Sequence, residues 1–305
     1  MRPNRRTVVA SLAGLGAAAA LGARPGIAQA PILSRPIPAT GEAIPAIGMG
    51  TWITFNVGAN EELRARRAEV LETFFALGGG VVDSSPMYGS SEEIVGWCLR
   101  RIGAPPSLFS ATKVWIWPGA LGPGQMATSR ELWGVDRFDL MQVHNLLAWE
   151  SHLDTLAGHK AEGLVRFVGV TTSHGRRHDE LERIMATRPL DFVQLTYNIL
   201  DRDAEQRLLP LAADRGIAVI VNRPFRRKQL FRLFAHHPLP EWAGEIGCAN
   251  WAQFFLKFII SHPAVTCAIP ATSRVDHMRE NMGALTGPLP DAGLRRRMVR
   301  HVEDL

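Results

Sequence analysis

Cysteine is scarce in this chain of 305 residues, which contains only Cys98, Cys248 and Cys267. Three is an odd number, so even an oxidising compartment would allow at most one internal disulfide. Cys98 and Cys267 fall at apolar positions of a predicted helix and a predicted strand. We therefore expect buried free thiols at these two positions rather than a disulfide framework.

Long apolar runs and a strong excess of charge are also missing. No internal stretch is long and apolar enough to span a membrane. Of the formal net charge of +5, four positive charges lie in residues 1–30, which contain no acid, so the rest of the chain carries only +1. Nucleic acid is therefore not an expected partner. The content of 46% hydrophobic and 21% charged residues is typical of a globular protein with one large domain.

The first 30 residues have the pattern of an export signal. Arg5 and Arg6 precede a weakly apolar run at residues 8–21, and small residues follow at Ala28 and Ala30. The paired arginines favour a twin-arginine signal, with an ordinary secretory signal as the alternative. No cysteine lies near the candidate cleavage sites, which argues against a lipid anchor.

This pattern predicts a signal peptide at residues 1–30 and one folded domain at residues 31–305. We expect a transient interaction with the twin-arginine export machinery and no stable membrane insertion after the signal is removed. The predicted location is periplasmic or otherwise exported.

The chain after the signal alternates regularly between extended and helical patterns. A hairpin-like segment at residues 36–48 comes first, and an amphipathic helix at residues 291–302 comes last. The extended runs are residues 47–52, 81–83, 108–113, 138–144, 165–171, 192–197, 217–222 and 265–269. Helical spacing is found at residues 61–77, 92–102, 125–133, 150–162, 178–186, 204–215, 251–260 and 275–284. The alternation predicts an α/β fold, a (β/α)8 TIM barrel with an N-terminal hairpin and an extra C-terminal helix.

Four chemically distinctive residues lie at or just beyond the ends of three consecutive predicted strands: Asp83, Tyr88, Lys113 and His144. Taken singly, the aspartate could be a helix cap, and the tyrosine and histidine could be packing residues. A lysine at the end of an apolar strand, however, needs a partner. Because a barrel brings its strand ends to one catalytic face, we predict that the four residues form one catalytic site.

Within such a site, the residues have complementary chemistry. A phenol has a pKa of about 10, and an ammonium about 4 Å away favours the phenolate by up to ~4 kcal/mol at an effective dielectric of 20. Lys113 is therefore expected to lower the pKa of Tyr88, while Asp83 holds the lysine charged and in place. Tyr88 is the predicted general acid, and His144 is predicted to donate a hydrogen bond to the substrate oxygen.

Seven short motifs make the chain resemble the aldo-keto reductases from about residue 36 to residue 285. They are GMGTW at 48–52, the stretch from Asp83 to Gly89, TKVW at 112–115, QVH at 142–144, QLTYN at 194–198, IPATS at 269–273 and EN at 280–281. The resemblance implies a barrel that binds NADP(H) in an extended form across its mouth, with NAD(H) as the alternative. It also implies reduction of an aldehyde or ketone, or the reverse oxidation, with Asp83, Tyr88, Lys113 and His144 as the catalytic tetrad.

The resemblance further implies positions that contact the cofactor. Thr51 is expected near the nicotinamide ribose, Thr171, Thr172 and Gln194 at the carboxamide, and Asn222 under the ring. At the other end, Thr272 and Arg274 are expected at the adenosine phosphate and Asn281 at the adenine. Arg226, in a basic loop at residues 223–228, is expected to cover the pyrophosphate, with a solvated surface loop as the alternative.

Two departures from the family pattern affect these expectations. The family commonly has Ser-Asn in place of Thr171 and Thr172, and often an aromatic residue in place of Asn222, whose loss costs roughly 1 kcal/mol of stacking. Trp52 and Trp115 are predicted to bind an apolar part of the substrate, with core packing as the alternative.

Two rival functions differ in class from a reductase. One is an exported barrel that acts as a ligand-binding or interaction module with a vestigial active site. The other is a metal-dependent hydrolase, which the sequence disfavours because no His/Asp cluster follows the strands; no metal is expected. Export is unusual for an enzyme that uses NADP(H), and we expect the cofactor to be loaded before the folded protein is translocated.

Overall fold

The computed structural model describes residues 32–305 of the protein. The export signal predicted at residues 1–30 lies outside the described residues and stays a prediction. The described chain begins with β1 (Ser34–Pro36) and β2 (Ala43–Pro45), which pair antiparallel as a hairpin. The predicted hairpin is therefore confirmed, with a slightly earlier start.

Eight parallel strands follow and form the barrel, which confirms the predicted fold. They are β3 (Met49–Gly50), β4 (Val81–Asp83), β5 (Phe109–Val114), β6 (Phe138–Val143), β7 (Val165–Thr171), β8 (Phe192–Thr196), β9 (Ala218–Asn222) and β10 (Cys267–Ala268). Each strand pairs with its neighbour in the sequence. Two isolated parallel bridges, Ile47 to Ala268 and Gly50 to Ala271, join the first and last strands and close the ring.

The hairpin fills the amino end of the barrel. Ile37 and Ile44 are buried in one apolar cluster with Phe109, Phe167 and Phe192, which lie on the amino-terminal halves of β5, β7 and β8. Ring centroids within this aromatic trio are 5.5–6.0 Å apart. Since this end is packed shut, the carboxyl ends of the strands form the open face of the barrel.

Helices surround the strands and bury a second apolar layer between helix and sheet. They are α1 (Glu61–Ala76), α2 (Ser91–Ile102), α3 (Gly122–Trp133), α4 (Trp149–Ala161), α5 (His178–Thr187), α6 (Leu208–Arg215), α7 (Gln229–Phe234), α8 (Trp251–Ile260), α9 (Val275–Gly283) and α10 (Ala292–Glu303). The last of these is the predicted extra C-terminal helix.

Side-chain caps explain where several helices begin. Asn60 accepts a hydrogen bond from the backbone N–H of Leu63 at 2.9 Å, and Glu61 and Glu62 in the first turn interact favourably with the helix dipole. Asp291 caps α10 in the same way, accepting from the N–H of Leu294 at 2.7 Å. These starts agree with the spacing read from the sequence.

The structure departs from the predicted elements in four places. The first and last barrel strands are shorter than predicted, Met49–Gly50 and Cys267–Ala268, because the flanking residues form only isolated bridges. Helix α6 begins at Leu208 rather than at residue 204, since Asp203–Glu205 form a separate 3-10 turn. Helix α7 was not predicted.

All three cysteines are buried and free. This confirms the prediction of buried thiols at Cys98 and Cys267. Burial raises the pKa of the Cys98 thiol to about 12, so it is a packing residue rather than a reactive thiolate.

Within residues 32–305, no helix has the length and apolar character needed to cross a membrane.

Candidate active site

The four predicted catalytic residues lie together at the open end of the barrel. Asp83 is the last residue of β4, and Lys113 lies one residue before the end of the neighbouring β5. His144 directly follows β6, and Tyr88 ends a 3-10 turn, Pro86–Tyr88, that follows β4. Parallel pairing of β4, β5 and β6 carries these strand ends to one place.

Lys113 and Asp83 form a buried ion pair. The Lys113 Nζ donates to Asp83 Oδ2 at 2.5 Å and to the backbone oxygen of Ser84 at 2.7 Å. The two side chains are 0% and 2% exposed. Burial lowers the pKa of Lys113, but Asp83 and Tyr88 outweigh it, so the net pKa is raised and the lysine stays charged. Two of its three N–H groups are used, which leaves one for a third partner.

Two amides hold the other oxygen of Asp83. Its Oδ1 accepts from Gln194 Nε2 at 2.9 Å and from Gln142 Nε2 at 3.2 Å. Gln142 entered the sequence analysis only as part of a motif, although a polar residue inside an apolar strand is itself a signal that a buried partner exists. With both oxygens bonded, the carboxylate has a fixed orientation, and so does the ammonium that it holds.

Tyr88 lies directly against this ion pair. The Lys113 Nζ is 5.1 Å from the centre of the Tyr88 ring. The Tyr88 ring also meets His144 edge to face, with centroids 5.6 Å apart and an interplanar angle of 83°. Tyr88 as a whole residue is partly exposed, but its phenol group is buried. The arrangement therefore brings the Tyr88 phenol close to both the Lys113 ammonium and the His144 imidazole.

The predicted lowering of the Tyr88 pKa is wrong for the protein as it stands. Burial raises the pKa of Tyr88, and this outweighs the charge and contact of Lys113, which act in the opposite direction. Asp83 also raises the pKa of Tyr88, because its negative charge partly cancels that of Lys113. The phenol is therefore fully protonated at neutral pH.

His144 is neutral in this site. Burial, together with the charge of Lys113, lowers the pKa of His144 to about 2. Its Nδ1 lies 2.9 Å from the Oγ of Ser85, a residue that the sequence analysis did not single out. Its Nε2 makes no hydrogen bond to any described residue and is not sealed from solvent. The ring therefore has one edge fixed by protein and one edge free.

The predicted carboxamide residues occupy the neighbouring strand ends. Thr171 Oγ1 accepts from the N–H of Asn145 at 3.0 Å, and the N–H of Thr172 donates to the carbonyl of Gln194 at 2.9 Å. Asn222 donates to the carbonyl of Thr172 at 2.8 Å and accepts from Thr196 Oγ1 at 2.7 Å. The strand ends beside the tetrad therefore carry a group of neighbouring polar side chains, those of Thr171, Thr172, Gln194 and Asn222.

The hydroxyl groups of Thr172 and Thr51 differ in whether they already have a hydrogen-bond partner. Thr172 Oγ1 is buried and has no hydrogen-bond partner among the described residues. Such an orphaned polar atom is costly unless a ligand satisfies it. Thr51 Oγ1, by contrast, lies 3.0 Å from the backbone oxygen of Asp83 and donates to Ser84 Oγ at 2.8 Å. Thr51 therefore positions the Asp83 strand end from inside, and its hydroxyl is already used.

The basic loop at residues 223–228 is fixed in place by contacts of its arginines. Arg226 pairs with Asp201 at 3.0 Å, and the guanidinium of Arg227 lies 4.2 Å from the centre of the Trp52 ring. Arg223 Nη1 lies 2.6 Å from His174 Nε2. These contacts hold three arginines of the loop to neighbouring residues, although Arg227 and Lys228 are exposed, and Arg227 covers one face of the Trp52 ring.

The remaining predicted cofactor residues lie just before α9, at Thr272 and Arg274, and near its end, at Asn281. Thr272 Oγ1 accepts from the N–H of Arg274 at 3.2 Å, and Asn281 is buried in the same helix. Arg274 is exposed and paired with Asp276, with its Nε donating at 2.9 Å. Arg274 at the start of α9 makes no side-chain capping hydrogen bond, and although the backbone N–H of His277 contacts the Asp276 carboxylate, the other N–H groups of the first turn have no side-chain partner among the described residues and suit an anion.

An unpredicted arginine links the two loops beside this helix. Arg67, on α1, is buried and donates from Nε to the carbonyl of Thr54 at 2.5 Å and from Nη1 to that of Ser273 at 3.3 Å. It thereby ties the loop after β3 to the loop before α9. A buried arginine on a helix gives no sequence signal beyond its apolar neighbours.

Aromatic and apolar side chains form the rim on the tetrad side. The centroid of the Trp115 ring is 6.5 Å from that of His144 and the residue is 40% exposed, so it is a surface residue beside the candidate site rather than a core residue. The Gln125 side chain fixes the Trp115 backbone with hydrogen bonds of 2.6 and 3.0 Å. Met87 and Trp117 are also exposed nearby in the chain.

In residues 32–305, no cluster of three or more His, Cys, Asp or Glu side chains is arranged to hold a metal ion.

The sequence and the fold are similar to those of known aldo/keto reductases. The model of the "Aldo/keto reductase family" matches residues 46–296. An aldo-keto reductase of Strobilurus tenacellus is 28% identical over 257 residues, covering 72% of this chain and 76% of that protein. The NADH-specific methylglyoxal reductase of Escherichia coli is 25% identical, covering 88% and 98%. An aldo/keto reductase of Klebsiella pneumoniae solved with NADP and acetate superposes with a TM-score of 0.74 at 24% identity, covering 86% and 93%.

Proposed function

The chain belongs to the aldo/keto reductase family, and on this premise we propose that it is an NADP(H)-dependent oxidoreductase. It reduces an aldehyde or ketone to an alcohol, or catalyses the reverse oxidation. One observation carries the proposal: the buried ion pair of Lys113 and Asp83 lies against the phenol of Tyr88 at the open end of the barrel. The proposed substrate is a small carbonyl compound.

Residues in two places fit the two ends of a nicotinamide dinucleotide. The orphaned hydroxyl of Thr172, beside Gln194, suits the polar carboxamide. The uncapped start of α9 and Arg274 suit the adenosine phosphate. Arg226, which is paired with Asp201 in this structure, is proposed to meet the pyrophosphate, and the proposed contacts are completed by Thr51, Thr171, Asn222 and Asn281.

The relatives support NADP(H) and keep NAD(H) as the alternative. The Klebsiella pneumoniae structure contains NADP, whereas the Escherichia coli relative is named as NADH-specific. In this chain Arg274 is already paired with Asp276, which reduces the positive charge offered to a 2′-phosphate. Preference for NADP(H) therefore rests on how far the phosphate displaces Asp276.

Proton transfer is the part of the reaction that these side chains perform. When bound, the reduced nicotinamide supplies a hydride to the carbonyl carbon. The carbonyl oxygen gains negative charge, and Tyr88 gives it the phenolic proton. The N–H of His144 and the phenol together bind that oxygen, which resembles an oxyanion hole with two donors.

Lys113 and Asp83 act on Tyr88 and not on the substrate itself. After its proton leaves, Tyr88 is a buried phenolate, which burial alone would disfavour. The adjacent ammonium of Lys113 stabilises that charge, and Asp83 holds the ammonium at the required place. In the oxidation direction the same cation favours the phenolate that accepts the proton of the alcohol.

The experiment is a screen of aldehydes and ketones with purified protein and NADPH or NADH, followed by the absorbance of the reduced nicotinamide. We expect turnover of at least one carbonyl class, and a kcat that falls about 10²- to 10⁴-fold in Tyr88→Phe. Cofactor affinity, measured by fluorescence titration, should change little in this variant. Absence of turnover with every carbonyl, or full activity in Tyr88→Phe, would leave the ligand-binding module as the better interpretation.

We also propose that the protein is exported by the twin-arginine route with its cofactor already bound. Support comes from Arg5 and Arg6 ahead of the apolar run, and from the fact that this route carries folded proteins. The test is to purify the native protein from the periplasm and measure bound nucleotide. Recovery from the cytoplasm alone, or periplasmic protein without nucleotide and with only millimolar affinity, would contradict the proposal.

A further inference from the structure

Ser85 contacts the one edge of His144 that is held by protein. It lies two residues after Asp83 and caps the 3-10 turn that carries Tyr88. Pro86 follows it and favours an extended backbone, which is observed with φ −166° and ψ 146°. The residue is fully buried, so every polar atom of its side chain requires a partner within the protein.

The hydrogen bonds of Ser85 can be assigned atom by atom. Its Oγ accepts from the backbone N–H of Met87 at 3.2 Å, and that N–H can only donate. Its other contact is His144 Nδ1 at 2.9 Å. The hydroxyl proton therefore has a single acceptor among the described residues, and that acceptor is Nδ1. The opposite arrangement, with Nδ1–H donating, would leave a buried hydroxyl proton unsatisfied.

This assignment decides where the proton of His144 lies. The ring is neutral, because burial and Lys113 lower the pKa of His144, so it carries only one N–H. If Nδ1 accepts from Ser85, that N–H is on Nε2. Nε2 is the nitrogen without a protein partner among the described residues, and it is not completely buried.

We propose that Ser85 is a positioning residue that holds His144 in the Nε2–H tautomer and so makes it a hydrogen-bond donor to the substrate oxygen. The part concerning substrate rests on the proposed function. In the other tautomer, a lone pair on Nε2 would face the negative charge that develops on the carbonyl oxygen. Ser85 therefore determines whether His144 helps the reaction or opposes it.

The direct test is nitrogen-15 NMR of histidine-labelled protein without any substrate. The His144 signals are identified by their loss in His144→Gln, since the chain has 10 histidines. We expect the wild-type spectrum to show an unprotonated Nδ1 and a protonated Nε2. Ser85→Ala should shift both signals toward a mixture of tautomers, and Ser85→Thr, which keeps the hydroxyl, should restore the wild-type pattern.

Ser91→Ala is the matched control. The Ser91 hydroxyl lies near the same turn and donates to the carbonyl of Tyr88 at 2.9 Å, but it does not contact His144. Its loss should leave the His144 tautomer unchanged. A protonated Nδ1 in the wild-type protein, or an identical spectrum in Ser85→Ala, would overturn the proposal whether or not any variant folds less well.

Kinetics separate positioning from general structural damage. Loss of one hydrogen bond to the developing charge should lower kcat about ten-fold in Ser85→Ala, with KM little changed, and Thr should rescue it. An unchanged kcat with a shifted tautomer would show that the tautomer does not matter for the reaction and would contradict the proposal. The NMR result does not depend on turnover, so failure of the reductase assignment would be recognised separately.

Discussion

The ammonium of Lys113 lies 2.5 Å from the carboxylate of Asp83, and neither side chain reaches solvent appreciably. A pair this deeply buried gains little net stability, because both charges lose their hydration. Its geometry is maintained by Gln142, Gln194 and the Ser84 carbonyl. The arrangement is therefore best understood as a fixed positive charge placed beside Tyr88.

Removing one charge of this pair should be costly for folding. Asp83→Asn leaves a buried ammonium without its counter-charge, and we expect a loss of about 3–5 kcal/mol in the free energy of unfolding. Urea denaturation measures this change. The control is Asp154→Asn at the surface pair with Arg188, where side chains are 73% and 34% exposed and the expected loss is below about 1 kcal/mol. Equal losses at the two sites would contradict the buried charge assignment.

The pH dependence of turnover should reflect two unusual titrations. Burial raises the pKa of Tyr88, so the proton donor stays protonated as pH rises, and reduction should not fall until the pH exceeds about 10. The pKa of His144 is lowered to about 2, so this residue should contribute no acid limb near neutrality. Profiles of kcat in both directions test this. The expectation would be contradicted if kcat for reduction fell well below pH 10 and this fall were absent in Tyr88→Phe. In that case the effect of Lys113 on the pKa of Tyr88 would exceed that of burial once cofactor is bound.

The two adjacent threonines should respond differently to loss of their hydroxyls. Thr172→Val removes an unpartnered buried oxygen, so the stability of the free protein should be unchanged or rise by up to about 1 kcal/mol. Cofactor affinity should fall roughly five- to ten-fold if that oxygen binds the carboxamide.

Thr171→Val is the matched variant, because it removes an oxygen that accepts from the Asn145 N–H. It should lower the free energy of unfolding by about 1–3 kcal/mol. Thermal unfolding with and without NADPH distinguishes the two variants. A stability loss in Thr172→Val as large as that in Thr171→Val would mean that the Thr172 hydroxyl has a partner in the protein.

Asp276 should set the balance between the two nicotinamide cofactors. Its carboxylate pairs with Arg274 on the protein surface, and Arg274 lowers the pKa of Asp276. Asp276→Asn frees the guanidinium for a 2′-phosphate, and the ratio of NADPH to NADH affinity should rise roughly two- to five-fold at low salt. Arg274→Ala should change the same ratio in the opposite direction. Parallel titrations with both cofactors measure it, and an unchanged ratio in both variants would place the phosphate elsewhere.

Sequence patterns were sufficient for the barrel and for the four residues at its mouth. Lys113 was recognisable because a lysine in an apolar strand requires a buried partner, and Asp83 ends the adjacent strand. The family resemblance is confirmed by the match over residues 46–296. The catalytic and cofactor roles of individual residues stay predictions, as does the export signal.

Burial and hydrogen-bond partners were not readable from the sequence. The pKa of Tyr88 was predicted from one nearby cation, whereas the larger effect is desolvation by the surrounding fold. Ser85 carries no sequence signal of its own, and only the packed structure brings it to His144. Helix α7 is short and follows a basic loop, so its periodicity was too brief to detect.

The ring of strands is closed by two isolated bridges, Ile47 to Ala268 and Gly50 to Ala271, rather than by a continuous ladder. This seam joins segments that are far apart in the chain, so we expect local opening of the barrel to begin there. Amide hydrogen exchange should therefore be faster at the seam than in the other strands. Arg67 fastens the loops at its upper edge through Thr54 and Ser273. A single side chain outside the proposed catalytic residues therefore connects the two loops that flank this seam.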